Sequence, residues 1–150
     1  MTVHAAVSSP MRHPLVRRLS ALNLDSGHFA IFGSGPMLAH GLKTEIGDLD
    51  VIARGPAWNR AVNLGQHGLS KIRRDPFVSF WGGRIEIFQS WVTDSFPVEE
   101  LIDTAEIFDG IRFVRLPHVL SYKRLLGRKK DAFDVAAIER YMNYSFEALV

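Results

Sequence analysis

Two aspartates separated by one apolar residue, Asp48 and Asp50, stand at the start of an apolar run. In a strand, residues two apart point to the same face and lie about 6.6 Å apart along the chain. Thirteen residues separate Asp48 from Ser34, which stands in the small turn Gly33-Ser34-Gly35 after an earlier apolar run. A paired carboxylate can hold divalent cations, and a glycine-rich turn lets a phosphate approach the backbone. These residue types indicate metal-dependent phosphoryl or nucleotidyl transfer.

The residues around the aspartates favour a metal over a solvated surface. Leu49, Val51 and Ile52 predict a buried strand, whereas a solvated strand edge or a turn is the alternative for an isolated Asp-x-Asp triplet. Two ionised carboxylates on one buried face repel each other unless positive charge compensates them. The nearest basic residues in sequence are Lys43 and Arg54, so bound cations are the simplest compensation.

A two-metal site requires a third carboxylate, for which Glu86 is the best candidate. It lies between Ile85 and Ile87 in a run that alternates like a strand. If Glu86 faces the aspartates, it can bind one metal and accept a proton from an attacking hydroxyl. The same alternation also fits a Glu86 that faces water while both isoleucines face the core.

Ser34 follows a glycine at the end of a predicted strand and precedes a predicted short helix. Backbone amides at a helix N-terminus bind phosphate, and the hydroxyl adds a further donor. A plain helix cap is the alternative explanation for a Ser-Gly-Pro segment.

The C-terminal part of the chain carries five cations within residues 123–130. A solvated helix face explains such a run for Arg124 and Lys130. Lys123 differs, because it follows Tyr122 on an amphipathic pattern and can reach along the helix toward a triphosphate.

Two acids follow this basic segment. Asp131 is expected to cap the second C-terminal helix, and Asp134 to orient either Lys123 or Arg128. Asp134 alone is therefore expected to position a cation.

Composition excludes several classes of protein. The 150 residues, 47% hydrophobic and 23% charged, predict a single domain, residues 1–150, with a substantial core. A net charge of +2 fits a polyanionic ligand but is small for a nucleic-acid coat protein. The absence of cysteine removes disulfides and thiolate sites, and no histidines stand at a metal-ligand spacing. Without an apolar run of membrane length or a signal-peptide pattern, we expect a cytoplasmic protein.

The order of periodic segments predicts an α+β (α/β-like) fold, with a mixed central β-sheet and helices packed on it. Residues 1–11 are expected to be loose, and residues 117–146 to form a C-terminal helical segment. Predicted strands cover residues 28–33, 48–53, 69–73, 77–81, 84–91, 104–108 and 111–115, with turns at Gly82-Gly83 and Asp109-Gly110. Predicted helices run from Pro14 toward Gly27, from Ser34 or Gly35 to Leu42, over 57–65, from Pro117 to Gly127, and through a stripe from Phe133 to Met142.

Taken together, the motifs resemble the nucleotidyltransferase superfamily related to DNA polymerase β. Its signature is an apolar residue, Gly, then Gly or Ser, and after roughly nine to thirteen residues an Asp-x-Asp/Glu flanked by apolar residues. Phe32-Gly33-Ser34 and Asp48-Leu49-Asp50-Val51 match it, and Glu86 stands where the third acid of the family falls. The resemblance covers roughly residues 28–142.

The C-terminal residues further resemble minimal bacterial nucleotidyltransferases of the abortive-infection toxin type, which carry a helical Lys followed by a Gly-Arg-x-Lys-Asp-x-x-Asp-like segment. The resemblance implies Mg²⁺, two ions with Mn²⁺ as a substitute, held by Asp48, Asp50 and Glu86. It implies a nucleoside triphosphate bound at Gly33, Ser34 and Lys123. The acceptor hydroxyl is left open among a small molecule, a tRNA and a protein, and an antitoxin or partner subunit is expected. The alternative is a non-catalytic module of the same fold that binds nucleotide or RNA.

Overall fold

The computed structural model describes residues 9–71, 74–91 and 95–149. Its helices, after a 3₁₀ turn at Pro10–Arg12, are α1 Pro14–Ala21, α2 Gly35–Ala39, α3 Gly55–Leu64, α4 Val98–Asp103, α5 Leu116–Leu126 and α6 Lys129–Leu149. Its strands are β1 Phe29–Phe32, β2 Leu49–Ala53, β3 Gln66–Leu69, β4 Pro76–Phe80, β5 Ile85–Phe88, β6 Glu106–Phe108 and β7 Ile111–Phe113. Within these ranges no helix has the length and apolar character needed to cross a membrane.

The seven described strands form one open sheet in the order β3-β4-β5-β2-β1-β7-β6. Strand β2 runs parallel to β5, and β1 runs parallel to β7, whereas the other neighbours are antiparallel. The sheet is therefore mixed, with helices packed on it, as the periodicity predicted.

The alternation of side chains along the central strands divides the interior into two cores. Ile31, Val51 and Ile87 belong to one cluster, which α1 and α3 cover. Phe32 and Ile52 belong to the other cluster, which is covered by α4, α5 and α6. Because neighbouring residues in a strand point to opposite faces, Asp50 shares the face of the second core.

Helix α1 begins as predicted but ends earlier. Pro14 occupies the first turn, and the backbone N–H of Leu15 donates to Nδ1 of the N-cap residue His13 at 3.1 Å. The helix ends at Ala21 rather than at Gly27, because Asn23 adopts a left-handed conformation with φ of 55°.

The strand predicted at 69–73 is wrong: β3 occupies Gln66–Leu69, and residues 72–73 lie outside the described part. Gly68 pairs with Phe77 inside the sheet. A Cβ on Gly68 would lie 2.8 Å from the Phe77 ring, so the missing side chain makes room for an aromatic neighbour. Sequence punctuation alone does not distinguish such a glycine from a turn.

Helix α3 also begins earlier than predicted, at Gly55 instead of residue 57. Pro56 lies in its first turn, where proline is favoured. Leu42, assigned to the preceding predicted helix, lies beyond α2.

Both predicted hairpins are present, as β4–β5 and β6–β7. Helix α5 ends at Leu126, and Gly127, which follows it, adopts a left-handed conformation. Phe133, expected in the apolar stripe of α6, is 82% exposed, whereas Ile138 is fully buried. Five residues turn a helix by about 140° from the starting face, so these two side chains cannot share one stripe.

Candidate active site

The register of β2 against its two neighbours brings two of the three sequence-predicted acids, Asp50 and Glu86, side by side. Asp48 lies one residue before β2 and is exposed, so it does not share the buried strand expected over residues 48–53. Asp50 lies opposite Glu86 on the parallel strand β5 and opposite Phe32 on β1. Ile85 and Ile87 are fully buried on the opposite face of the sheet. Glu86 therefore shares the face of Asp50, and of the two orientations considered from the sequence, the one toward the aspartates is present.

Neighbouring carboxylates oppose the ionisation of Asp50 and of Glu86. Burial, then Asp48, then Glu86 raise the pKa of Asp50 to about 7, although Lys123 and Arg128 act in the other direction. Burial and the charge of Asp48 also raise the pKa of Glu86. The site thus concentrates more negative charge than its own cations neutralise.

The turn after β1 lies directly against this charge. Gly33 has a φ of +64°, and a Cβ placed on it would lie 3.0 Å from Oδ2 of Asp50. A side chain at residue 33 would therefore be strained and would contact the carboxylate. The glycine is required here both by its backbone conformation and by the close approach.

Ser34 contacts a lysine instead of capping the helix that follows it. Its side chain makes no capping hydrogen bond to α2, and its Oγ accepts from Nζ of Lys123 at 3.1 Å. Helix α2 has only five residues, so its backbone dipole is a minor source of anion affinity. Ser34 therefore contributes its own hydroxyl to the site and holds the ammonium of Lys123 beside it.

Lys123 is 4% exposed and is held at two points. Besides Ser34, its Nζ donates to Oδ2 of Asp134 at 2.8 Å, while Nζ of Lys43 lies 3.1 Å from Oδ1 of the same aspartate. Burial raises the pKa of Asp134, but the hydrogen bonds from both lysines outweigh it and hold that pKa below its ordinary value. Of the two partners that sequence allowed for Asp134, it is Lys123 that the aspartate orients.

Arg128 is positioned by a different acid. Asp131 accepts hydrogen bonds from the backbone N–H of Arg128 at 3.0 Å, from Nε at 2.7 Å and from a terminal nitrogen at 3.0 Å. The first contact caps the start of α6, as predicted, and the other two fix the guanidinium. These bonds hold the pKa of Asp131 below its ordinary value.

Tyr122 is a site residue whose role sequence reasoning missed. Its ring packs against Phe32 with centroids 5.3 Å apart. Burial and the charge of Asp50 raise the pKa of its hydroxyl to about 12, so the group remains a proton donor at neutral pH. The only sequence signal was its position before Lys123. Lys43 was missed as well, because it lies ninety-one positions from its partner Asp134.

These side chains surround a cavity of about 160 Å³. Its volume suits phosphate groups and cations, whereas a whole nucleotide needs a larger space of roughly 300 Å³ or more. A base and sugar bound here would extend beyond the cavity. Glu86 does not line it. The lining residues are Gly33, Ser34, Asp48, Asp50, Tyr122, Lys123, Arg128, Lys130, Asp131 and Asp134.

The donor set is of the kind that Mg²⁺ prefers, since carboxylate oxygens are hard ligands. Among the residues that the structure describes, however, no group of three or more histidine, aspartate and glutamate side chains is drawn together as a metal site. The raised pKa of Asp50 shows that a cation beside it would relieve an unfavourable charge. The oxygen ligands of Asp48 and Asp50 are thus chemically suited to a divalent cation, although no third carboxylate of the described residues joins them in a metal-binding group.

Comparison of the chain with protein-family models, curated proteins and solved structures finds no match. The coarse architecture is a mixed sheet with helices packed on it.

Proposed function

We propose that this protein is a Mg²⁺-dependent nucleotidyltransferase with a nucleotidyltransferase fold. It transfers a nucleoside monophosphate from a nucleoside triphosphate to an acceptor hydroxyl. The acceptor oxygen forms a bond to the α-phosphorus, the bond from that phosphorus to the β-phosphate oxygen breaks, and pyrophosphate leaves. The observation that carries the proposal is the register of β2, which puts Asp50 opposite Glu86 and next to the Gly33 turn.

In this proposal Asp48 and Asp50 hold the cations, and Glu86 contributes to one of them. Mg²⁺ supplies Lewis-acid neutralisation of the charge that develops on the phosphates. Glu86 also accepts the proton of the acceptor hydroxyl, for which its raised pKa is suited. Because Asp50 prefers its protonated form in the absence of a cation, its metal affinity should increase as the pH rises through about 7.

The triphosphate is bound on the other side of the cavity. Gly33 allows the phosphates to approach the backbone, and Ser34 and Lys123 donate to the β- and γ-phosphate oxygens. Asp134 keeps Lys123 extended toward Ser34, so the ammonium is positioned before the ligand arrives.

The first test is transfer of radiolabelled nucleotide by an Asp50→Asn variant, with a cell lysate supplying acceptors of small-molecule, tRNA and protein size. We expect the rate to fall at least about a thousandfold, because the variant loses a charged ligand of the cations. Asp103→Asn, at an exposed carboxylate of α4, is the matched control and should retain wild-type transfer. Circular dichroism should show that both variants fold, and turnover by folded Asp50→Asn would contradict the proposal.

A nucleotide-binding module without turnover is the second candidate. It is favoured by the finding that the carboxylates of the described residues do not already converge on a metal position. Calorimetry with ATP and Mg²⁺ distinguishes the two functions when it is combined with the transfer assay. Binding without any labelled product from any of the four nucleoside triphosphates would establish the module.

A further inference from the structure

A second cavity, of about 340 Å³, lies beside the start of α1 and is separate from the site above. Three basic or nitrogen-bearing residues, Arg12, His13 and Lys43, line it together with the apolar residues Pro14 and Leu38. Its volume is within the range of small-molecule binding pockets. We call this space the His13 pocket.

The imidazole of His13 has one satisfied nitrogen and one unsatisfied nitrogen. Because Nδ1 accepts a hydrogen bond from the backbone N–H of Leu15 at 3.1 Å, the neutral ring carries its proton on Nε2. Nε2 is buried and has no hydrogen-bond partner among the residues that the structure describes. The side chain as a whole is only 9% exposed. Buried donors are normally paired, so this N–H indicates an acceptor that none of the described residues supplies.

The nearest carboxylate shows what kind of acceptor would fit. Oε1 of Glu45 lies 3.6 Å from Nε2 of His13, which is beyond hydrogen-bond distance. The Glu45 side chain is 88% exposed, so it can turn into solvent with little loss of contacts. An oxyanion that replaces it would find the His13 donor together with the positive charges of Arg12 and Lys43.

We propose that the His13 pocket binds a small molecule in which an oxyanion is joined to an apolar group. The oxyanion accepts from Nε2 of His13 and pairs with Arg12 and Lys43, while the apolar group packs on Pro14 and Leu38. A carboxylate and a phosphate ester share this chemistry.

The pocket adjoins the candidate active site through one ion pair. Lys43 lines the His13 pocket, and its Nζ contacts Asp134, which lines the other cavity. A ligand that breaks the ion pair between Lys43 and Asp134 would leave Asp134 paired with Lys123 only. The binding proposal itself does not depend on nucleotidyl transfer, because it follows from the His13 donor and its surroundings.

The test is titration of the full chain with benzoate, with phenyl phosphate and with uncharged benzyl alcohol, followed by NMR of the His13 ring nitrogens and by calorimetry. We expect one or both anions to shift the Nε2 signal of His13, and benzyl alcohol to bind at least about tenfold more weakly. Binding of benzoate only would identify a carboxylate ligand, and binding of phenyl phosphate only would identify a phosphate ester.

Two variants make the test specific. His13→Asn keeps a side-chain oxygen that caps α1 but removes the Nε2 donor, so it should weaken anion binding about tenfold or more while the protein remains folded. Glu45→Gln removes the competing negative charge and should tighten binding. Lys130→Gln, in the other cavity, is the matched control and should leave the affinity unchanged. Equal affinity in His13→Asn, sensitivity only to Lys130→Gln, or no binding of either anion would overturn the proposal.

Discussion

The charge of Asp50 is opposed by its burial and by two neighbouring carboxylates, which together raise its pKa to about 7. An unfolded aspartate titrates near 3.8, so the folded protein binds more protons than the unfolded chain between about pH 4 and pH 7. The contribution of Asp50 to the free energy of unfolding therefore falls as the pH rises through this window. The loss is complete above pH 7 and absent below pH 4.

Because ionised Asp50 lowers the free energy of unfolding, we predict that Asp50→Asn stabilises the protein at alkaline pH in metal-free buffer. At pH 8 we expect the free energy of unfolding to exceed that of the wild type by about 2–4 kcal/mol, and the difference to vanish near pH 4. Urea denaturation with a chelator present measures both values. Asp103→Asn is a control that should instead lower the free energy of unfolding at pH 8, because hydrogen bonding to Arg54 lowers the pKa of Asp103. A stabilisation by Asp50→Asn that does not depend on pH would contradict the explanation.

Lys123 allows a comparison between a buried and an exposed ion pair on one helix. Lys123→Met leaves Asp134 with Lys43 as its partner, and we expect a loss of about 3 kcal/mol because removal of one member of a buried pair is strongly destabilising. Arg124→Met removes an exposed pair with Glu139 and should cost less than about 1 kcal/mol.

Adding Asp134→Leu to Lys123→Met should recover part of the lost stability, since the double variant no longer buries a carboxylate that has lost one of its two cationic partners. Chemical denaturation of the three variants provides the comparison. Equal losses for Lys123→Met and Arg124→Met would show that the burial of Lys123 does not determine its contribution.

What sequence could predict at the residue scale depended on the distance between partners along the chain. Asp48, Asp50 and the Gly33 turn were identified from local spacing. The pairing of Asp134 with Lys123 was one of two local options, because Lys123 and Arg128 both lie within a dozen positions of Asp134. The contact of Lys43 with Asp134 depends on the packing of distant elements, for which a single sequence carries no signal.

At the element scale, the junction of β1 with α2 depends on Gly35. A Cβ on this residue would lie 2.2 Å from Cγ2 of Ile31, a fully buried side chain. Gly35→Ala should therefore lower the free energy of unfolding by about 2–3 kcal/mol through overpacking. Gly47→Ala is the matched control, because no atom lies within 4 Å of its added Cβ, and it should change stability by less than about 1 kcal/mol. Thermal unfolding of both variants checks the prediction, which is wrong if the two midpoints agree.

Elements with local signals were predicted well, and elements defined by their neighbours were not. The two glycines between β4 and β5 both have positive φ. A Gly-Gly pair is typical of such a hairpin turn, so the sequence alone predicted it. Strand β3 was misplaced because Gly68 is used for its small size against Phe77 and not for a turn. The position of β3 depends on its partner strand β4, and the periodicity of a single segment carries no information about its partner.

At the scale of the whole molecule, the site depends on a strand order that the sequence does not state. Strand β5 lies between its hairpin partner β4 and the distant β2, and this insertion brings Glu86 opposite Asp50. Alternation predicted that Glu86 and the two isoleucines face opposite sides, but it left open which face looks toward the aspartates. The parallel pairing of β2 with β5 decides that question.

The charge of the whole molecule predicts weak binding to RNA. The 18 basic and 16 acidic residues give a net charge of only +2, and in the basic segment Lys123, Arg124 and Arg128 are already paired with carboxylates. We expect few phosphate contacts, so the logarithm of the binding constant for a labelled single-stranded RNA should fall with the logarithm of salt concentration with a slope no steeper than about −1.4, measured by fluorescence anisotropy. Arg128→Gln with Lys129→Gln should make this slope shallower, and Glu139→Gln, which frees Arg124, should make it steeper. A wild-type slope near −4, reduced by the double variant, would instead establish RNA as a principal ligand of the C-terminal helices.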